Sequence, residues 1–61
     1  MWTITNETGH VLASFDSEEE VWACWNSDER LRAIGTYQWE GQECTALELR
    51  ICCDGKEVTF N

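Results

Sequence analysis

Residues 16–35, DSEEEVWACWNSDERLRAIG, form the only stretch with helical signals, and strand-like alternation flanks them on both sides. A chain built this way must bury helix against sheet. Ser17 is a good N-cap, and Glu20 three residues later completes a capping box. Glu18, Glu19 and Glu20 crowd the first turn, where the positive end of the helix dipole favours carboxylates. Arg30 and Arg32 lie toward the other end, and Gly35 is placed to close the helix in a left-handed conformation. Val21, Trp22, Cys24 and Trp25 give apolar surface at helical spacing, which Leu31 and Ile34 resume. The polar run from Asn26 to Glu29 interrupts it. Ser27 reads as a fresh cap with Asp28 and Glu29 in its first turn. The spacing predicts two segments, about 17–26 and 28–34, with a single bent helix as the alternative.

The flanks supply strands. Residues 2–5 alternate apolar and polar, residues 6–9 form a turn cluster, and residues 10–15 alternate again. Pairing Ile4 with Val11 and Trp2 with Ala13 brings the two apolar faces together as a hairpin. Residues 36–40 are β-branched and aromatic, followed by a turn or bulge at Gly41, Gln42 and Glu43. Residues 46–53 alternate, with Leu47, Leu49, Ile51 and Cys53 on one face. Glu48, Arg50 and Cys52 fall on the other, and Glu57 and Thr59 extend that solvent face. Asp54 followed by Gly55 is a strong two-residue hairpin signal. It pairs Cys53 with Lys56, Ile51 with Val58 and Leu49 with Phe60. The expected fold is α+β: a small single-domain antiparallel sheet of order ββ-α(α)-βββ, with the helical segment packed on one face. No linker, repeat or low-complexity tract interrupts residues 1–61, which read as one domain.

At 61 residues, a chain buries only about 60% of its unfolded surface, and its core alone supplies about 3–5 kcal/mol. Four Trp, two Phe and one Tyr compensate with aromatic mass. Trp22 and Trp25, three apart, read as core; exposure of either would make it an interface anchor.

Charge narrows the function. Twelve acidic residues against four basic ones give a net charge of −8. Phosphates would repel such a surface, which disfavours direct contact with nucleic acid or an anionic membrane and favours a protein partner with a basic face. Salt adaptation is a competing explanation, but Glu outnumbers Asp nine to three, which fits plain solubility better. No signal peptide or long apolar run is visible, so the expected location is cytoplasmic and the cysteines are expected as thiols.

Catalytic and metal chemistry find little support. Cys24, Cys44, Cys52, Cys53 and His10 lack zinc-ligand spacing, and the adjacent Cys52 and Cys53 point to opposite faces of a strand. Half-buried small hydrophobes account for them better. His10 has no nucleophile or orienting partner in any motif and reads as a rim histidine. No phosphate loop or nucleophile elbow is present, so neither enzyme activity nor a cofactor is expected.

The acidic patch is the feature to pursue. Asp16, Glu18, Glu19, Glu20, Asp28 and Glu29 lie within 14 residues, and Glu40 and Glu43 extend the set. A solvated helix face with dipole-favoured acids explains the pattern without function. The functional reading is a surface that meets Arg and Lys clusters. In size, acidity, lack of enzyme motifs and mixed fold, the chain resembles the small inhibitors that phages use against host defence, including anti-CRISPR proteins and DNA-mimic anti-restriction proteins. These proteins share no common signature, so no site residue is transferred. Arg30, Arg32, Arg50 and Lys56 among the acids depart from the strongest DNA mimics. The resemblance implies a non-enzymatic inhibitor that acts in a host cytoplasm on a basic surface of a nucleic-acid-processing complex. A structural or adaptor module working through a sheet edge or homo-oligomer contacts is the alternative, and a zinc or redox module is a third.

Overall fold

In the computed structural model, which describes residues 1–58, the chain runs β1 (Trp2–Thr5), β2 (Val11–Phe15), α1 (Glu18–Trp25), α2 (Asp28–Gly35), β3 (Thr36–Trp39), β4 (Gln42–Thr45), β5 (Arg50–Cys53) and β6 (Lys56–Glu57). This is the α+β class read from the sequence, but four strands rather than three follow the helices, and the strands form two antiparallel sheets rather than one. One has the order β2-β1-β5-β6, and the other is the β3–β4 hairpin alone. The longest-range step brings β5 against β1, pairing Ile4 with Ile51 and Trp2 with Cys53.

Alternation along these strands puts Ile4 and Ile51 on one face, and α1 covers them with Val21 and Cys24. All four side chains are fully or almost fully removed from solvent. Trp2, Phe15, Trp22, Trp25, Leu31 and Ile34 pack around them. Burying one such isoleucine is worth about 1.5–3 kcal/mol. The two Ile positions therefore carry a large share of the stability of so short a chain. Both tryptophans of α1 are half-buried against this core.

The helix boundaries obey the caps. Ser17 Oγ accepts from the Glu20 N–H at 3.2 Å, and Ser27 Oγ accepts from the Arg30 N–H at 3.4 Å. The reciprocal bond of the first cap goes one residue further back than a capping box requires, from the Asp16 N–H to Glu20 Oε2 at 3.3 Å. The split into two helices is as expected, but Gly35 is not a left-handed cap. It is the last residue of α2, buried, and β3 begins directly after it. Its carbonyl accepts from the Ala46 N–H at 2.7 Å, which ties the end of β4 to the end of α2.

Three strand expectations need correction. The β1–β2 register is shifted by two residues: Ile4 faces Ala13 and Trp2 faces Phe15. Between Ile4 and Thr5 the register also slips, so that Thr5 pairs with Val11 and Leu12 becomes the extra residue of a bulge. A shift of two preserves the buried face, which is why the apolar pattern alone did not fix it. Second, Gln42 and Glu43 are not turn residues but belong to β4. Glu40 and Gly41 make the turn, with φ of 51° and 79°, the left-handed pair that a two-residue hairpin demands. Third, only residues 50–53 of the predicted 46–53 strand pair with β1. The Leu47 N–H is taken by Glu7 Oε1 at 3.0 Å, and Leu47 is 88% exposed rather than core-facing.

The hairpin at Asp54 and Gly55 forms as read, with Cys53 opposite Lys56 and the Val58 N–H donating to the Ile51 carbonyl at 2.8 Å. The expected pairing of Leu49 with Phe60, and the solvent placement of Thr59, lie outside the described residues. On the helix-free face Glu48 and Glu57 are exposed while Arg50 and Cys52 are half-buried. No helix among the described residues is long and apolar enough to cross a membrane.

Candidate functional site

Capping chemistry places the acids. A serine cap leaves the first-turn side chains pointing outward, and the dipole tolerates carboxylates there without internal partners. Glu18, Glu19 and Glu20 occupy the first turn of α1, and Asp28 and Glu29 that of α2. These five and Asp16 are all exposed. Glu18 Oε1 accepts from the Trp22 indole N–H at 3.2 Å, which holds one carboxylate still. No ion pair among the described residues involves any of the six.

The basic residues follow these acids in the chain, Arg30 and Arg32 directly after them on α2. Residues 1–29 contain no Lys or Arg. Arg50 is occupied on the helix-free face of the sheet, 3.2 Å from Glu48 and 3.6 Å from Glu57. Its hydrogen bond to Glu48 and the attraction of that carboxylate raise its pKa further. Asp54 pairs with the Met1 ammonium, which holds its carboxyl below the usual aspartate range. The segment 16–29 thus carries only acidic charge, and Arg30 follows it directly on α2.

Glu40 and Glu43 do not continue that segment. Both are exposed on the β3–β4 hairpin, Glu40 in its turn and Glu43 on β4 opposite Gln38. The eight predicted residues thus divide between the helix pair and the second sheet.

The structure adds a group of residues that no sequence pattern joins. Asn6 is 3% exposed. Its Oδ1 accepts from the Thr8 N–H at 3.0 Å, the Thr8 hydroxyl at 2.8 Å and the His10 N–H at 2.9 Å. Its Nδ2 donates to the Tyr37 hydroxyl at 2.9 Å. One amide therefore organises the β1–β2 turn and joins it to the second sheet. The His10 ring lies 5.7 Å from Tyr37 and 4.9 Å from Trp39, the latter edge-on at 77°. Asn6, Thr8, His10, Tyr37, Trp39 and Cys44 line a cavity of about 310 Å³, at the small end of the range of ligand pockets. The only advance sign was an alternation putting Tyr37 and Trp39 on one side of a strand.

The cysteines are separate thiols: Cys24 on the buried side of α1, Cys44 on β4, and Cys52 and Cys53 adjacent on β5. Among the described residues no three of His, Cys, Asp and Glu gather in a way that would hold a metal ion. Glu7 Oε1 accepts from the Leu47 N–H, and nearby backbone N–H groups, its own first and then those of Leu47 and Glu48, hold its carboxyl below the usual glutamate range. Comparison with protein families, with curated proteins and with solved structures gave no match.

Proposed function

We propose that the protein is a non-enzymatic inhibitor that binds a basic, nucleic-acid-binding surface of a host-defence or nucleic-acid-processing complex. The observation that carries this reading is the set of six exposed carboxylates between residues 16 and 29, at two successive helix N-termini, none of them ion-paired among the described residues. A groove that holds phosphates offers Lys and Arg at the spacing of a polyanion. Carboxylates fixed on a packed helix pair compete for that groove without paying the cost of ordering a flexible chain. Long-range attraction speeds encounter, and salt weakens it.

The test is capture of a host lysate on the immobilised protein at low salt. The expected result is retention of nucleic-acid-binding proteins that moderate salt releases and that added duplex DNA or RNA displaces. Retained proteins indifferent to both competitors would reject the reading.

A second reading, an adaptor that works by strand addition, draws on β2, which lies at an edge of the main sheet with Val11 49% exposed. The bulge at Leu12 twists that edge and weakens it as a template. Dimerisation that rises with concentration and ignores salt would favour this second reading.

A further inference from the structure

We infer that β3 and β4 form an arm that undocks from the rest of the protein as one unit and leaves the main sheet and its helices folded. The helix acids take no part in this movement, so it stands apart from the function proposed above.

The core does not depend on the arm. The buried cluster of Ile4, Val21, Cys24 and Ile51 is built from β1, α1 and β5, and among the described residues none from 36 to 48 packs against it. Neither β3 nor β4 pairs with a strand of the main sheet. Apolar burial is the dominant favourable term in folding, and releasing the arm leaves that of the core in place.

What holds the arm is local and mostly polar. Asn6 Nδ2 donates to the Tyr37 hydroxyl at 2.9 Å, and Glu7 Oε1 accepts from the Leu47 N–H at 3.0 Å. The His10 ring lies against Tyr37 and Trp39. All three latches come from the β1–β2 turn. Where the chain leaves α2, the Thr36 hydroxyl donates to the Arg32 carbonyl at 3.3 Å, a bond at the pivot that opening can keep. The return path, residues 46–49, is irregular between β4 and β5. A few loop residues of this kind absorb the backbone rotation of a hinge.

Packing agrees. The cavity of about 310 Å³ lies between turn and arm, with Asn6, Thr8 and His10 lining it from the turn and Tyr37, Trp39 and Cys44 from the arm. A groove of about 660 Å³ is lined by Leu31 and Arg32 of α2 and by Thr45 and Ala46 at the base of the arm. Gaps beside the arm mean that its lining atoms forgo dispersion contacts there. Glu40 and Glu43 ride on the arm, so undocking moves these two carboxylates relative to those of α1 and α2. A released two-stranded hairpin is marginal in water, and its amides then exchange.

Native-state hydrogen exchange on the full ¹⁵N-labelled chain, followed over low urea concentrations, tests this. The Tyr37 and Cys44 amides report on the arm. They are paired two residues from the bond between Ala46 and Gly35, where an antiparallel ladder bonds again. By the same rule the Thr3 and Cys52 amides, two residues from the bond between Asp54 and Met1, report on the main sheet. The arm pair is expected to be protected at least about tenfold less than the main-sheet pair, with a weaker dependence on urea because undocking exposes less surface. Ile51→Val is expected to lower protection of the main-sheet pair about fivefold and to leave the arm pair unchanged. Tyr37→Phe is expected to lower both pairs about fivefold, because its hydroxyl bond is lost in either opening. Equal protection and equal urea dependence in the two pairs, an Ile51→Val effect shared by both, or a Tyr37→Phe variant with an unchanged arm pair would each overturn the inference. If a variant fails to fold, the wild-type urea series decides alone.

Discussion

Replacing Asn6 with alanine removes one side chain and four hydrogen bonds: three accepted by Oδ1 and one donated by Nδ2. A single bond of this kind contributes about 0.5–1.5 kcal/mol net. Thr8 and His10 are exposed, so water can partly replace their bonds and the low end applies to them. The bond to half-buried Tyr37 belongs nearer the high end. The sum is about 2–4 kcal/mol, against about 3–5 kcal/mol for a whole domain of this size. Asn6→Asp is the control. It keeps an acceptor for the three turn donors, and the Tyr37 hydroxyl can rotate to donate to the second carboxylate oxygen. Its expected cost at neutral pH is within about 1 kcal/mol. Urea unfolding followed by tryptophan fluorescence measures both variants. With a slope of about 1 kcal/mol per molar urea, the alanine midpoint should fall by about 2 M or more. An alanine variant within about 0.5 kcal/mol of wild type would refute the claim that Asn6 joins the two sheets.

Three further outcomes are expected. Gly35→Ala should stabilise by about 0.4–1 kcal/mol, because the residue is helical and a Cβ there meets nothing within 4 Å; a lower melting temperature would show that the α2–β3 junction needs glycine. Leu47→Ser should change stability by less than about 0.5 kcal/mol, since the side chain stands in solvent; a loss above about 2 kcal/mol would return Leu47 to the core. Glu7 has a depressed folded-state pKa. Its contribution is therefore complete above the ordinary glutamate value of about 4.3 and disappears as pH falls through the lowered one. The protection factor of the Leu47 amide against hydrogen exchange, corrected for the intrinsic pH dependence, should fall over that same acid range and stay level above it, whereas a protection factor indifferent to acid would remove Glu7 as its anchor.

Local chemistry was legible wherever one short segment held the whole signal. Ser17 and Ser27 announced both helices, and Asp54 with Gly55 announced a hairpin and its register. Glu40 with Gly41 makes the same kind of turn, yet Glu enters the left-handed region less readily than Asp or Asn, so it went unread and β4 with it. The β1–β2 hairpin was visible but not its register, because a two-residue slip leaves every side chain on its face. The 46–49 segment alternates like a strand, but partners far away in sequence, Gly35 and Glu7, take its N–H groups. The candidate sites divide along the same line. The acidic segment is continuous in sequence, so its charge and exposure are legible there. The aromatic pocket is assembled from residues 6–10, 37–39 and 44, and only the long-range contact of Asn6 with Tyr37 makes it one place. Asn6 had looked like an ordinary turn residue.

The most direct measurement is affinity for a captured basic partner, compared between the wild type and Glu18→Lys/Glu19→Lys/Glu20→Lys, by calorimetric titration at low and raised salt. The account predicts that wild-type affinity falls steeply with salt and that the triple variant, still folded by circular dichroism, does not bind at either. A folded variant that binds as tightly as wild type would contradict it.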